Sequence, residues 1–242
     1  MIDDILKINE HRTYPLPKGP WVMRQTWRNL LFAHWPIPPA AMAALVPPAL
    51  PLDTYAGQAW LGIVPFAMRD VHPRGLWSVP GLSHFPELNV RTYVTLREKG
   101  VAKPGVYFFS LDAANPVAVA LARRFFLLPY FTAKMATWER RDGWVEYRSR
   151  RTHRGAAPAE FSARYRPAGR VYLSTRGSLD HWLTERYALY TVDAQGRPYI
   201  GEIHHMQWPL QPAEAELHAA DLAGASAALR LPDTLPLLHF AR

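Results

Sequence analysis

Short apolar and aromatic runs, cut by proline, set the pattern of this chain. Trp21 to Leu31, Ala59 to Met68 (AWLGIVPFAM), Leu88 to Leu96 (LNVRTYVTL) and Val106 to Leu111 are rich in β-branched and aromatic residues and predict strands. Strict alternation marks a hairpin further on. Val145, Tyr147 and Ser149 oppose Glu146, Arg148 and Arg150, while Phe161, Ala163 and Tyr165 oppose Ser162, Arg164 and Arg166. Tyr187 to Val192 and Tyr199 to Trp208, joined by Asp193-Ala194-Gln195-Gly196, predict another hairpin. Helix starts are few: Pro38 and Pro39 before AAMAAL, Asn115-Pro116 before VAVALARRFF, and Ser178 before LDHWLTER. They predict helices near Pro38 to Leu45, Pro116 to Phe126 and Leu179 to Arg186, the first two ended by Pro47 and Pro129. Of 23 prolines, thirteen fall between Pro15 and Pro86, which excludes long helices there and with them a helical bundle. The expected fold is mainly β: one domain over residues 1–242, a large antiparallel barrel with a few short helices covering its openings.

Composition narrows the classes. A chain of 242 residues buries a sizeable core without staples, and the absence of cysteine removes disulfides, thiolate metal sites and cysteine nucleophiles. The amino terminus, MIDDILKINEHRTY, has neither the basic nor the apolar region of a signal peptide, and the most apolar stretch, Val117 to Phe131, is interrupted by Arg123 and Arg124. A cytoplasmic protein without a membrane partner is expected. The net charge of +8 raises the question of nucleic acid, but nine arginines against four acids between residues 138 and 170 fall largely on the outer face of the predicted hairpin. With no DNA- or RNA-binding motif beside them, they predict a solvated face and no specific nucleic-acid partner.

The motifs WRNLLFAHWPIPPAAMAALVPP (27–48), AWLGIVPFAMRDVHPRG (59–75), FPELNVRTYV (85–94), GVYFFSLDAANPVAVALARRFFLLPYFTAKM (105–135), GSLDHWLTERYALY (177–190) and GEIHHMQWPLQPAE (201–214) resemble the YqjF-like family of uncharacterised bacterial proteins, domain of unknown function 2071. The resemblance covers nearly the whole chain. It implies a fold similar to acetoacetate decarboxylase, a large β barrel with a mostly apolar central cavity, and brings no established family activity. In the decarboxylase-like enzymes a strand lysine forms a Schiff base with a keto acid, following an Arg-Glu helix and a Gly-Phe-Pro-Lys-Lys turn. ARRFFLLPYFTAKM corresponds to that stretch, and the resemblance implies Lys134 as nucleophile. Ala133 stands where the second lysine would, and no acid follows Arg123 and Arg124.

Read from its residues, Lys134 is the one of five lysines in an apolar strand, sharing a face with Tyr130, Thr132, Ala136 and Trp138. Schiff-base chemistry needs a neutral amine, which only desolvation would supply here; the other reading is an ammonium snorkelling to water. Glu87, in FPELNV, matches a cavity-lining glutamate of the resembled enzymes and is expected as the second catalytic residue, or else as an ion-pair partner of Arg91. Arg24 and Arg91 are the expected carboxylate-binding residues, structural ion pairing being the alternative for both. The alternate residues Glu87, Asn89, Arg91 and Tyr93 are expected to face a polar lumen or solvent. His204 and His205 are adjacent and cannot share an ion on a strand, and no ligand motif exists, so no metal is expected; nor is any nucleotide or other cofactor. Two classes remain open. The first binds a small acidic or keto-type metabolite inside the barrel, with or without Schiff-base chemistry; the second is a non-catalytic binding or interaction protein on the same scaffold. A homo-oligomer is left open.

Overall fold

The computed structural model describes residues 2–79, 82–218 and 221–242. The first predicted strand is two, β1 (Met23–Arg28) and β2 (Leu30–Ile37), because Asn29 takes a left-handed φ of 54° that interrupts the extended chain. Three long strands follow, β3 (Ala59–Pro73), β4 (Phe85–Glu98) and β5 (Val101–Ala113), paired antiparallel in sequence order. A second antiparallel set comprises β6 (Tyr130–Glu139), β7 (Val145–Arg151) and β8 (Glu160–Pro167). The short β9 (Tyr172–Leu173) precedes the hairpin β10 (Ala188–Val192) and β11 (Pro198–Glu202), and β12 (Pro209–His218) and β13 (Leu237–Ala241) complete the described strands. The chain expected to be strand up to Trp208 leaves the sheet after Glu202.

Pairing runs β3, β2, β13, β12, β8, β7, β6, β5, β4 and back to β3, which closes a nine-stranded barrel. The barrel is mixed, and this corrects the antiparallel expectation: β5 runs parallel to both β6 and β10. The chain returns from β5 to β6 through a helix, as parallel neighbours require. One apolar cluster joins Leu31, Ala33 and Trp35 of β2, Ile63 of β3 and Val90 of β4 to Tyr147, Phe161 and Tyr165 of β7 and β8. These strands lie on opposite sides of the closed cycle, so the cluster is the barrel interior. Large side chains, Tyr147 and Tyr165 among them, project into it.

The helices are α1 (Ile2–Lys7), α2 (Pro39–Ala43), α3 (Pro116–Phe126), α4 (Leu179–Thr184) and α5 (Asp221–Ala227). Asn115 caps α3 by accepting from the Val117 and Ala118 amides, and Leu127 ends it in the left-handed conformation at φ 54°. Ser178 caps α4 through the His181 amide. Met42 of α2 and Leu222 of α5 enter the interior cluster, so these two helices close the barrel. Elsewhere, Val119 of α3 and Leu183 of α4 pack in separate clusters on the outer side of the wall.

Charge around the β7–β8 hairpin is partly paired. Arg166 meets Glu214 at 2.8 Å and Arg140 meets Glu146 at 3.0 Å, while the Arg164 and Arg166 guanidinium groups stack over Trp144 at 4.1 and 4.7 Å. Among the described residues, no helix is long and apolar enough to cross a membrane.

Candidate functional site

Strand β4 sends its side chains two ways. Leu88, Val90 and Val94 enter the barrel interior, and the alternate residues Glu87, Asn89, Arg91 and Tyr93 lie on the opposite face. On β3 they are matched by Phe66, Val64 and Gly62, in register with Glu87, Asn89 and Arg91 respectively. His34 of β2 is in register with Gly62, so His34, Gly62 and Arg91 form a row across three strands. The glycine matters here. A Cβ at position 62 would sit 3.1 Å from the His34 ring and 3.3 Å from Cγ of Arg91.

Glu87 marks one end of this face. It is 2% exposed, and the Tyr130 hydroxyl donates to its Oε2 at 3.0 Å. Burial pushes its pKa up to about 8, and the Tyr130 hydrogen bond opposes this only in part. At neutral pH Glu87 is therefore largely a carboxylic acid. The same burial, with the neighbouring Glu87, drives Tyr130 well above the ordinary phenol range. The backbone carbonyl of Glu87 accepts from Tyr147, whose hydroxyl crosses the interior at 2.6 Å.

Arg91 marks the other end, about 13 Å along the strand, so it forms no ion pair with Glu87. Its guanidinium is half-buried and, among the described residues, meets no carboxylate. It lies over the Phe32 ring at 5.5 Å, its Nη2 reaches the Leu183 carbonyl at 3.5 Å, and its Nε is buried without a partner. Beside it, the Tyr93 hydroxyl donates to the Leu183 carbonyl at 2.9 Å and meets His34 Nε2 at 2.7 Å. His239 of β13 lies on the same face, with its Nε2 3.1 Å from Asp180 of α4. Asp180 also accepts from the Tyr172 hydroxyl at 2.9 Å. Burial lowers the pKa of both histidines, most strongly for His34, where Arg91 adds to the effect.

The expected residues do not all meet. Glu87 and Arg91 share the face, but Arg24 is exposed on β1, opposite His72. Lys134 is also exposed, past the last β5–β6 pair and opposite Arg150. The desolvation required of a Schiff-base amine is not provided at this exposed position. None of the five lysines lies on the β4 site face: Lys7, Lys18, Lys99 and Lys134 are exposed, and Lys103 pairs with Glu98 and Glu202. Sequence reasoning does not single out Tyr130 as a functional residue, although it follows Pro129, the place a lysine takes after proline in Gly-Phe-Pro-Lys-Lys. His34, Asp180 and His239 carry no local signal, since three separate elements bring them together.

An open groove of about 430 Å³ lies beside α3, lined among others by Val119, Arg123, Arg124, Thr132 and His153. Thr132 is in register with Ala113, and Ala113 with Glu87. The groove thus lies over the Glu87 end of the face, one alanine away on the sheet. Among the described residues, no group of three or more His, Cys, Asp or Glu side chains is placed to hold a metal ion.

This barrel, with α3 and α4 on its outer wall, is the fold of acetoacetate decarboxylase-like proteins. Acetoacetate decarboxylase from Legionella pneumophila superposes with a TM-score of 0.60 at 15% identity, over 97% of this chain and 90% of that one. The enduracididine biosynthesis enzyme MppR complexed with pyruvate gives a TM-score of 0.60 at 13% identity, over 92% and 86%. Sequence is more specific than fold. The chain is 46% identical to the uncharacterized protein YqjF of Bacillus subtilis (strain 168) over 233 residues, 96% of this chain and 93% of that protein. The profile of DUF2071, an uncharacterized conserved protein family, matches residues 24–242, and the chain belongs to that family.

Proposed function

We propose that the protein binds a small acidic or keto-type metabolite on the β4 face, with Arg91 holding its carboxylate and Glu87 serving as a buried proton donor. The observation that carries the reading is the Arg91 guanidinium, half-buried beside the neutral His34 imidazole and, among the described residues, with no carboxylate against it. A guanidinium in that state is disposed toward a planar anion, which it can bind through two parallel hydrogen bonds. The arginines of the α3 groove add a cationic approach. The pyruvate complex of MppR supports the ligand class by analogy of fold alone.

Proton transfer involving Glu87 is the chemistry this face supports, because no lysine reaches it for a Schiff base. That placement favours binding, or acid–base chemistry, over decarboxylation through an imine. The reading takes residues 1–242 as one domain, working in the cytoplasm on a diffusible small molecule. The pairing of the hairpin arginines supports a small-molecule rather than a nucleic-acid partner.

Calorimetric titration with a panel of small mono-carboxylates tests it. At least one acid should bind to the native protein, and Arg91→Gln should weaken that acid at least about tenfold while Arg24→Ala leaves it unchanged. Equal affinities in native protein and Arg91→Gln across the panel, or no binding at all, would overturn the assignment.

A further inference from the structure

The hydrogen-bond capacity left unmet around Arg91 specifies more than a carboxylate. Tyr93 has a single hydroxyl proton, and the Leu183 carbonyl can only accept, so that proton is committed to Leu183. The 2.7 Å contact between Tyr93 and His34 Nε2 must then be an N–H donated by the histidine. His34 is therefore the Nε2–H tautomer, and its Nδ1 carries a bare lone pair. His239 reaches the same state by another route. Its Nε2 faces the Asp180 carboxylate, which accepts, so the proton sits on Nε2 and Nδ1 is again bare. Both Nδ1 atoms are buried without a partner, in side chains 0% and 4% exposed.

The imidazoles occupy neighbouring strands on one face: His34 is in register with Leu237, and His239 with Phe32, the residue on which Arg91 lies. The Asn89 carboxamide oxygen, on the same face, is likewise unpartnered. One cation thus stands among acceptors that need donors. A keto acid offers its carboxylate to Arg91 but brings only further acceptors to the lone pairs; a hydroxyl or ammonium group supplies what they lack.

We propose that His34, fixed by Tyr93, and His239, fixed by Asp180, are specificity residues that select a hydroxyl- or ammonium-bearing small carboxylate over the corresponding keto acid. The proposal rests on the reading that Arg91 binds a carboxylate, and it reverses the ligand preference suggested by the fold. Buried polar groups discriminate in this way because a ligand lacking the complementary group leaves them unpaired at a cost.

Matched probes of one length test it: lactate, alanine, pyruvate and propanoate, titrated into the full chain by calorimetry, with the imidazole nitrogens followed by ¹⁵N NMR. Lactate or alanine should bind at least about tenfold more tightly than pyruvate and propanoate, with the Nδ1 resonances of His34 and His239 moving on binding of the favoured probe and not with propanoate. Asp180→Asn supplies a second arm. Tyr172 holds the oxygen of the carboxamide, the amide nitrogen then donates to His239 Nε2, and the proton moves to Nδ1. Selectivity for lactate over pyruvate should fall at least about tenfold in this variant. A free-protein spectrum showing either histidine as the Nδ1–H tautomer overturns the proposal even if the variant fails to fold. Tighter, Arg91-dependent binding of pyruvate overturns it while leaving the carboxylate reading intact; no Arg91-dependent binding of any probe overturns both.

Discussion

The Tyr130 hydroxyl donates to the Glu87 carboxyl at 3.0 Å, joining the first residue of β6 to β4 across the intervening strand β5. Glu87 is buried and Tyr130 partly so, and among the described residues neither has an ionic partner, so the pair stores its chemistry as a proton held by burial rather than as a charge.

A pH dependence follows. In the unfolded chain Glu87 ionises near 4.5, and in the folded protein near 8. Between those values the folded state holds a proton that the unfolded state has lost, so this residue's contribution to stability declines as pH rises from about 4.5 to about 8. Glu87→Gln keeps an oxygen for Tyr130 and cannot ionise. Urea unfolding at pH 5 and pH 8.5 should show the difference between variant and native protein moving in the variant's favour at the higher pH. At about 1.4 kcal/mol per pKa unit the movement is a few kcal/mol at most. A difference independent of pH would place the Glu87 proton elsewhere.

Two glycines report on different parts of the fold. At position 105 a Cβ would meet the Ala188 carbonyl oxygen at 2.5 Å, where backbone of the parallel neighbour β10 cannot yield. Gly105→Ala should cost about 1–3 kcal/mol in denaturant unfolding and expose the β10 amides to hydrogen exchange. Gly62→Ala meets side chains at 3.1 to 3.3 Å, which can shift by a few tenths of an ångström. Its stability cost should be under about 1.5 kcal/mol. Its measurable effect should be weaker binding of the Arg91-dependent acid, because it forces apart the His34–Arg91 row.

Local rules make much of this architecture readable. Asn115-Pro116 and Leu127 delimit α3 through capping chemistry, and the alternation of β7 and β8 is enough to tell their wet faces from their packed ones. The parallel pairing of β5 with β6 is available in principle, since a helix between two strands implies a crossover, but the antiparallel neighbours on either side obscure it. The face of β4 is legible from its period of two, whereas its location outside the barrel depends on which strands close the cycle. Lys134 shows the limit most clearly. Its face agrees with that of Tyr130, yet it lies beyond the last β5–β6 pair, and exposure is set by where pairing stops, which periodicity does not encode.

A buried ion pair closes the opposite side of the wall. Arg151 binds Asp112 through two hydrogen bonds of 2.8 and 3.1 Å, reaches Ser226 of α5 at 3.0 Å and stacks over Phe131 at 4.2 Å. Burial raises the Asp112 pKa even against the pull of Arg151, so desolvation outweighs the attraction at this carboxylate. Asp112→Asn should cost about 3–5 kcal/mol in urea unfolding by stranding the guanidinium, while Asp112→Leu combined with Arg151→Met should recover most of it. A double variant as unstable as the single one would show that the pair contributes net stability.

Lys134 supplies the last test, because its position separates descent of fold from descent of chemistry. An amine that forms an imine efficiently must be neutral near pH 7, through desolvation or a cation beside it in a closed site. Lys134 is exposed opposite the equally exposed Arg150, away from both Glu87 and Arg91. Borohydride trapping with a panel of 2- and 3-keto acids, followed by peptide mapping, should therefore give no adduct at Lys134 above that at exposed Lys7, Lys18 and Lys99. Lys134→Ala should leave affinity for the Arg91-dependent acid within about twofold, as expected for a surface substitution of less than about 0.5 kcal/mol. Selective, stoichiometric labelling of Lys134 would mean that the residue reaches a closed environment during turnover, and it would return imine chemistry to this protein.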